Sequence, residues 1–345
     1  MSHKSTQGRA ALRVLLLVAL LAMVVAVVYG WYDFNRFTRT PLHVTKQGDS
    51  IDVARGTGFR SIVGELRQRG LTSADPLYWW LLAEQMRVAG KLHAGEYALD
   101  RGITPRQLLI NMATDKVLQR NFTIVDGWTF AELRQALAKA EKLNHDSAAL
   151  DDAAIMQKIG AAGEAPEGRF LPETYAYVKG DSDLDVLKRA HLAMARTRGA
   201  LWPARDKDLP LATPYDALIL ASIVEKETGR ADERPRIAGV FVRRLQDHML
   251  LQTDPTVIYG MGTNYSGTIH KVDLATDTPY NTYTRPGLPP TPIALPGKPA
   301  LMAALHPAAG NELYFVARGD GGHVFASTLE EHNRNVDCYQ RKHCQ

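Results

Sequence analysis

Residues 14–32, VLLLVALLAMVVAVVYGWY, form an unbroken run of uncharged positions. A helix needs about 20 apolar residues to cross the hydrocarbon core of a bilayer, so this run predicts a membrane-spanning helix. Lys4, Arg9 and Arg13 precede it, and positive charge on a short N-terminal flank holds that side in the cytoplasm. Trp31 and Tyr32 then fall at the outer interface. The alternative is a cleaved signal peptide, but the run exceeds the usual h-region and no clear A-x-A site follows it. Residues 1–13 are therefore expected as a cytoplasmic N-terminus, 14–32 as the anchor and 33–47 as a polar tether.

Past Gly48 the pattern becomes that of short amphipathic elements. In ARGTGFRSIVGELRQRGL, Thr57 precedes a helix with Ile62, Val63 and Leu66 on one face, ending at Gly70. In HAGEYALDRGITPRQLLINMA, a short strand at 97–99 leads to an N-cap, Thr104, a first-position proline, Pro105, and a capping-box partner, Gln107. FTIVDGWTFAELRQAL repeats the plan, with Thr129 and Glu132 as its capping box. Residues 48–140 are expected as a small α+β domain in which Trp79, Trp80 and Trp128 are either core or exposed stacking faces. An alanine-rich, charged, surface-like helical region follows at 140–165. PEGRFLPETYAY, residues 166–177, is dense in turn formers and aromatics, and reads as a loop over a core or as a cleft wall. The pattern turns helical again from about Leu184. Residues 141–345 are expected as a second, mixed α/β domain, and the chain as a whole as α+β.

Composition adds little constraint. The chain has 345 residues, 45% apolar and 23% charged, which is ordinary for a globular protein of two or three domains. Its net charge of +4 comes without a basic run interleaved with aromatics, which argues against nucleic acid as a partner. The two cysteines, Cys338 and Cys344, are spaced to form a small local disulfide outside the cytoplasm. His332 and His343 lie nearby without a standard zinc spacing, so neither a metal nor another cofactor is expected.

The chemistry gathers at LILASIVEKETG. Thr213, Pro214 and Asp216 start a helix cleanly, and Gly229 suits its stop. On that helix Glu227 shares the face of Ile219, Leu220, Ile223 and Val224, while Glu225 lies about 160° away above Leu218 and Ala221. The two carboxylates are thus sent to opposite flanks. A carboxyl in apolar surroundings keeps its proton to higher pH, as a general acid requires, so Glu227 is the candidate acid. The bland reading is an ion pair that ties down the helix end. Farther on, LQTDPTVIYGMG offers Gln252, Thr253, Asp254 and Tyr259. TPYNTYTRPGLPPTPIALPG, an irregular stretch with six prolines, offers Asn281 and Tyr283. With Glu225, these are candidate substrate contacts, amides for sugar hydroxyl or acetamido groups and rings for stacking, or else braces for a loop.

EGRFLPETY, ASIVEKET, LQTDPTVIYGMG, YNTYTRPGLPPTPIALPG, AALHPA and YFVARGDGGHVFASTLEEHN together strongly resemble the endolytic murein transglycosylase (YceG-like) family of bacterial inner-membrane enzymes. The resemblance covers nearly the whole chain. It implies a lyase that cuts the MurNAc–GlcNAc bond inside peptidoglycan strands without water and leaves a 1,6-anhydro-muramyl end. It also implies a single-pass inner-membrane protein with its catalytic domain in the periplasm, a LysM-like part within residues 48–140, and Glu227 as the catalytic glutamate. Peptidoglycan synthases, the penicillin-binding proteins, are partners that such an anchored enzyme could meet. The rival expectations are a hydrolytic muramidase and a membrane-anchored glycan-binding scaffold.

Overall fold

The computed structural model describes residues 4–341, with side chains from Leu12 onward. The apolar run is helical throughout: α1, Lys4–Arg39, contains a stretch long and apolar enough to cross a membrane. It continues beyond the expected anchor. Residues 33–47 are no polar tether, because Phe34 and Leu42 are buried in a core against which Phe37 and Val44 also pack. Tyr78 ties this end of the helix by donating to Asp33 at 2.8 Å.

The chain divides into two compact units, Met1–Arg120 and Asn121–Gln345. In the first, β1 (Asp49–Val53) is followed by α2 (Phe59–Gln68), α3 (Pro76–Gln85), β2 (Gly95–Leu99) and α4 (Pro105–Ala113). β1 and β2 pair antiparallel with Ile51 opposite Tyr97, and both side chains are fully buried. Ile62, Val63 and Leu66 fill the same core from α2, as their spacing predicts. α2 starts from Gly58 without a side-chain cap, so Thr57 does not cap it. Thr104 does cap α4, but the Gln107 side chain turns to Asn111 at 3.0 Å, leaving that capping box half made. Trp79 has no exposed surface and is core, whereas Trp80 is 49% exposed.

β3 (Gln119–Thr123) carries the chain into the second unit. There follow α5 (Phe130–Leu137), α6 (Asp152–Lys158), β4 (Thr174–Val178), α7 (Asp183–Leu201), α8 (Pro214–Glu227), α9 (Arg234–Gln246), α10 (Asp254–Met261), α11 (Lys271–Ala275), α12 (Lys298–Leu305), β5 (Tyr314–Ala317), β6 (His323–Ala326) and α13 (Leu329–Tyr339). Both halves of the Thr129–Glu132 capping box form at α5. The 140–165 region is less of a surface than expected, since Ile155, Met156 and Ile159 are buried.

Among the described residues every sheet is a two-stranded ribbon, β1–β2, β3–β4 and β5–β6. The α+β class holds, but the second unit is not a mixed α/β sheet domain. Its centre is helical, with α8 packed against α9 and α12. Cys338 lies near the end of α13, while Cys344 lies outside the described residues.

Candidate active site

Thr213 caps α8 as expected, with Pro214 at the first helical position, and Asp216, expected only to favour the dipole end, also closes a capping box with it. Every residue from Ala217 to Val224 is buried. α8 is therefore a helix enclosed on all sides, not one with a polar flank, and both glutamates at its end are drawn toward the interior. It stops at Glu227, two residues short of Gly229, because Thr228 is already extended.

The two carboxylates part there. Glu225 accepts from Arg234 at 3.1 Å and from the Gly297 N–H at 2.9 Å, so both of its oxygens are engaged in holding the fold. Glu227 accepts a hydrogen bond from the Thr253 hydroxyl. Burial pushes its pKa up to about 7, and the charge of Asp254 adds to the push, while the Thr253 hydroxyl and His323 act the other way.

Thr253 is itself fixed. Its N–H donates to the Thr282 hydroxyl at 3.1 Å, and Thr256 donates to its carbonyl at 2.7 Å. Gln252, just before it, takes a left-handed φ of 50° and bonds the Thr282 carbonyl through its N–H at 3.1 Å. A non-glycine residue in that region costs about 1–3 kcal/mol, and such strain clusters at functional sites. The segment is clamped where it touches Glu227.

Glu227 opens on a cavity of about 470 Å³ whose walls also include Gln252, Asp254, Tyr283, Arg244, His323, Tyr314 and His332. Tyr283 donates to Asp254 at 2.6 Å, and burial followed by that bond drives its phenol pKa far upward. Arg244 is 7% exposed and donates to the carbonyls of Leu313, Leu250 and Leu251, at 2.6, 3.1 and 2.9 Å. His323 binds Glu233 twice, through its N–H at 3.0 Å and its Nδ1 at 2.8 Å, which leaves Nε2 as the ring nitrogen available to the cavity. His332 stacks on Tyr314, and its buried Nδ1 has no hydrogen-bond partner. Among the described residues no cluster of three or more His, Cys, Asp or Glu is placed to hold a metal ion.

Of the residues singled out in the sequence, Glu227, Gln252, Asp254 and Tyr283 meet in this cavity, and Thr253 braces the first of them. Three lie elsewhere. Glu225 is in its ion pair. Asn281 is 1% exposed, and its amide donates to the carbonyls of Asp273, Leu274 and Thr276. Tyr259 packs edge-on against Tyr280 and donates to Glu167 at 3.1 Å. Sequence reasoning missed Arg244 and the His323–Glu233 pair. A histidine following two glycines was the one local signal, since no pattern links it to a glutamate 90 residues earlier.

Glu167 shows what the PEGRFLPETY stretch does. It is 6% exposed and accepts from the Phe130 N–H at 3.0 Å. Gly168, beside it, has φ +78°, and a Cβ there would sit 2.5 Å from Pro292, so only glycine lets the turn close. Burial raises the Glu167 pKa to about 7, against the pull of the Phe130 and Tyr259 bonds. A carboxyl whose folded pKa exceeds its unfolded value of 4.5 binds more protons when folded. Its contribution to stability is full below pH 4.5 and is lost as pH rises to about 7. Urea midpoints should therefore fall less between pH 4.5 and 7 in Glu167→Gln than in the parent; parallel curves would contradict the assignment.

The sequence model of the YceG-like family matches residues 51–338. A Bacillus subtilis protein named endolytic murein transglycosylase is 29% identical over 311 residues, spanning 84% of each chain. A Streptococcus pneumoniae protein of the same name is 26% identical over 350 residues, covering 92% of this chain and 63% of its own length. The crystal structure of a YceG-like protein from Listeria monocytogenes superposes with a TM-score of 0.52 at 26% identity, covering 84% of this chain and 99% of that one.

Proposed function

Because the chain belongs to the YceG-like family, we propose that it is an endolytic peptidoglycan lytic transglycosylase cutting the MurNAc–GlcNAc bond within glycan strands. The observation that carries this reading is a glutamate with pKa about 7 at the wall of a cavity, held by a threonine whose own position is fixed.

Glu227, protonated, gives its proton to the glycosidic oxygen as the bond to the muramyl C1 breaks. As carboxylate it then takes the proton of the muramyl C6 hydroxyl while that oxygen closes on C1. The proton count balances, no water is consumed, and a 1,6-anhydro end remains. Asp254 contributes negative charge beside the developing cation and holds the Tyr283 phenol. Gln252 and Tyr283 contact the sugar. The substrate's own N-acetyl group can share the charge at C1, which removes the need for a second catalytic carboxylate.

α1 anchors the chain in the bacterial inner membrane with its N-terminus in the cytoplasm, so the active site acts on strands near the membrane in the periplasm. There it ends strand elongation beside peptidoglycan synthases, its proposed partners. The antiparallel β1–β2 pair with α2 and α3 between its strands is the proposed LysM-like glycan-binding module.

Digestion of purified peptidoglycan by the full chain in detergent, read by mass spectrometry, tests the reading. Ends lighter by one water than the hydrolytic product are expected. Hydrated ends would make the protein a muramidase instead, and retention on strands without cleavage would make it a scaffold.

A further inference from the structure

One face of α3 is largely uncovered among the described residues. Leu77, Trp80 and Leu81, at helical positions i, i+3 and i+4, are 55%, 49% and 39% exposed, while Trp79, Leu82 and Ala83 face the core. Two shallow grooves flank this stripe within the first unit. On one side Leu77 and Trp80 line a groove with Phe59, Val63, Arg60 and Arg67 of α2. On the other, Leu81 and Gln85 line a groove with Val27, Gly30, Trp31 and Phe34 of α1.

The second groove says what covers the stripe. Val27 and Trp31 belong to the apolar run, and a helix rises 1.5 Å per residue, so Leu81 stands beside roughly the last 10 Å of the proposed span. Phe34 and Phe37 hold α1 to α3 through Tyr78 and Trp79, with ring centroids 5.4–5.9 Å apart, and Tyr78 bonds Asp33. α3 is thus held at the depth where the span leaves the membrane. Exposed tryptophan and leucine suit that layer, and the exposed Arg60 and Arg67 suit the phosphate groups of lipid heads. Asp75 caps the start of α3 and Glu84 lies in its last turn, so both negative charges fall outside the apolar stretch between them.

We propose that the Leu77–Trp80–Leu81 stripe lies in the outer headgroup layer of the membrane, making α3 a second, interfacial contact beside the α1 anchor. This rests on the anchor reading above. The contact limits the tilt of α1 and keeps the β1–α4 part of the first unit against the lipid surface.

The test uses the full chain in single-copy nanodiscs made with and without brominated acyl chains, which quench nearby tryptophan. Parent, Trp31→Phe and Trp80→Phe are compared. The expected result is that each substitution removes a comparable share of the quenched fluorescence. If Trp31→Phe removes its share and Trp80→Phe removes none, the anchor stands and the interfacial contact is wrong. If the parent is not quenched at all, the anchor itself fails and the proposal falls with it.

Discussion

Glu227→Gln should fold normally and cut glycan strands about 100- to 10,000-fold more slowly, the usual contribution of one positioned proton-transfer group. Glutamine keeps an oxygen to accept the Thr253 hydroxyl, so the brace survives, but it has no proton to give the leaving oxygen and no charge with which to deprotonate the C6 hydroxyl. Both halves of the proposed reaction are lost with one atom. Stability should move the other way. Burial that raises the acid to about 7 works against its ionised form, so above that pH the variant should be at least as stable as its parent. Initial rates of anhydro-end formation, taken beside thermal melts, check both halves. A variant that cuts as fast as the parent would remove Glu227 from the mechanism. The parent's rate should fall as pH rises past about 7, because the acid must begin protonated.

Two residues earlier the outcome reverses. Glu225→Ala should cost about 3–5 kcal/mol of stability, since it strands the Arg234 guanidinium, whose side chain is 13% exposed, without its carboxylate partner. It also leaves the buried-side Gly297 N–H without an acceptor. In a unit of this size that is a fall of roughly 10 °C in melting temperature. Whatever remains folded should cut at close to the parental rate, because Glu225 does not line the cavity around Glu227. Melts of the variant give the first quantity. Rates at low temperature, corrected for the folded fraction, give the second. A stable but inactive Glu225→Ala would mean that this carboxylate takes part in substrate contact after all.

The contrast between these neighbours marks how far the linear chain speaks. Its local signals were legible because each is decided within one helical turn. Thr213 caps α8, Thr129 and Glu132 close a capping box three residues apart, and the apolar run from residue 14 needs only its own composition to become a helix. Spacing also dictated that Glu225 and Glu227 leave the helix on different sides. It did not dictate what each would meet. That α8 is buried on every side, that Arg234 and Gly297 claim Glu225, and that Thr253 holds Glu227 follow from segments 9 to 72 residues away folding against the same helix end. Asn281 and Tyr259 have the side chains of a sugar site, yet tertiary packing spends them on loop carbonyls and on Glu167. The cavity's remaining polar walls, Arg244 and the His323–Glu233 pair, carry no periodic signature at all. The sequence by itself determined the apolar N-terminal helix, the caps at Thr104, Thr129 and Thr213 and the helix that carries Glu227; the tertiary structure alone decided which polar groups share one enclosed space. The physical reason is that burial and pKa depend on neighbours brought together by the fold, whereas helix starts depend only on residues already adjacent along the chain.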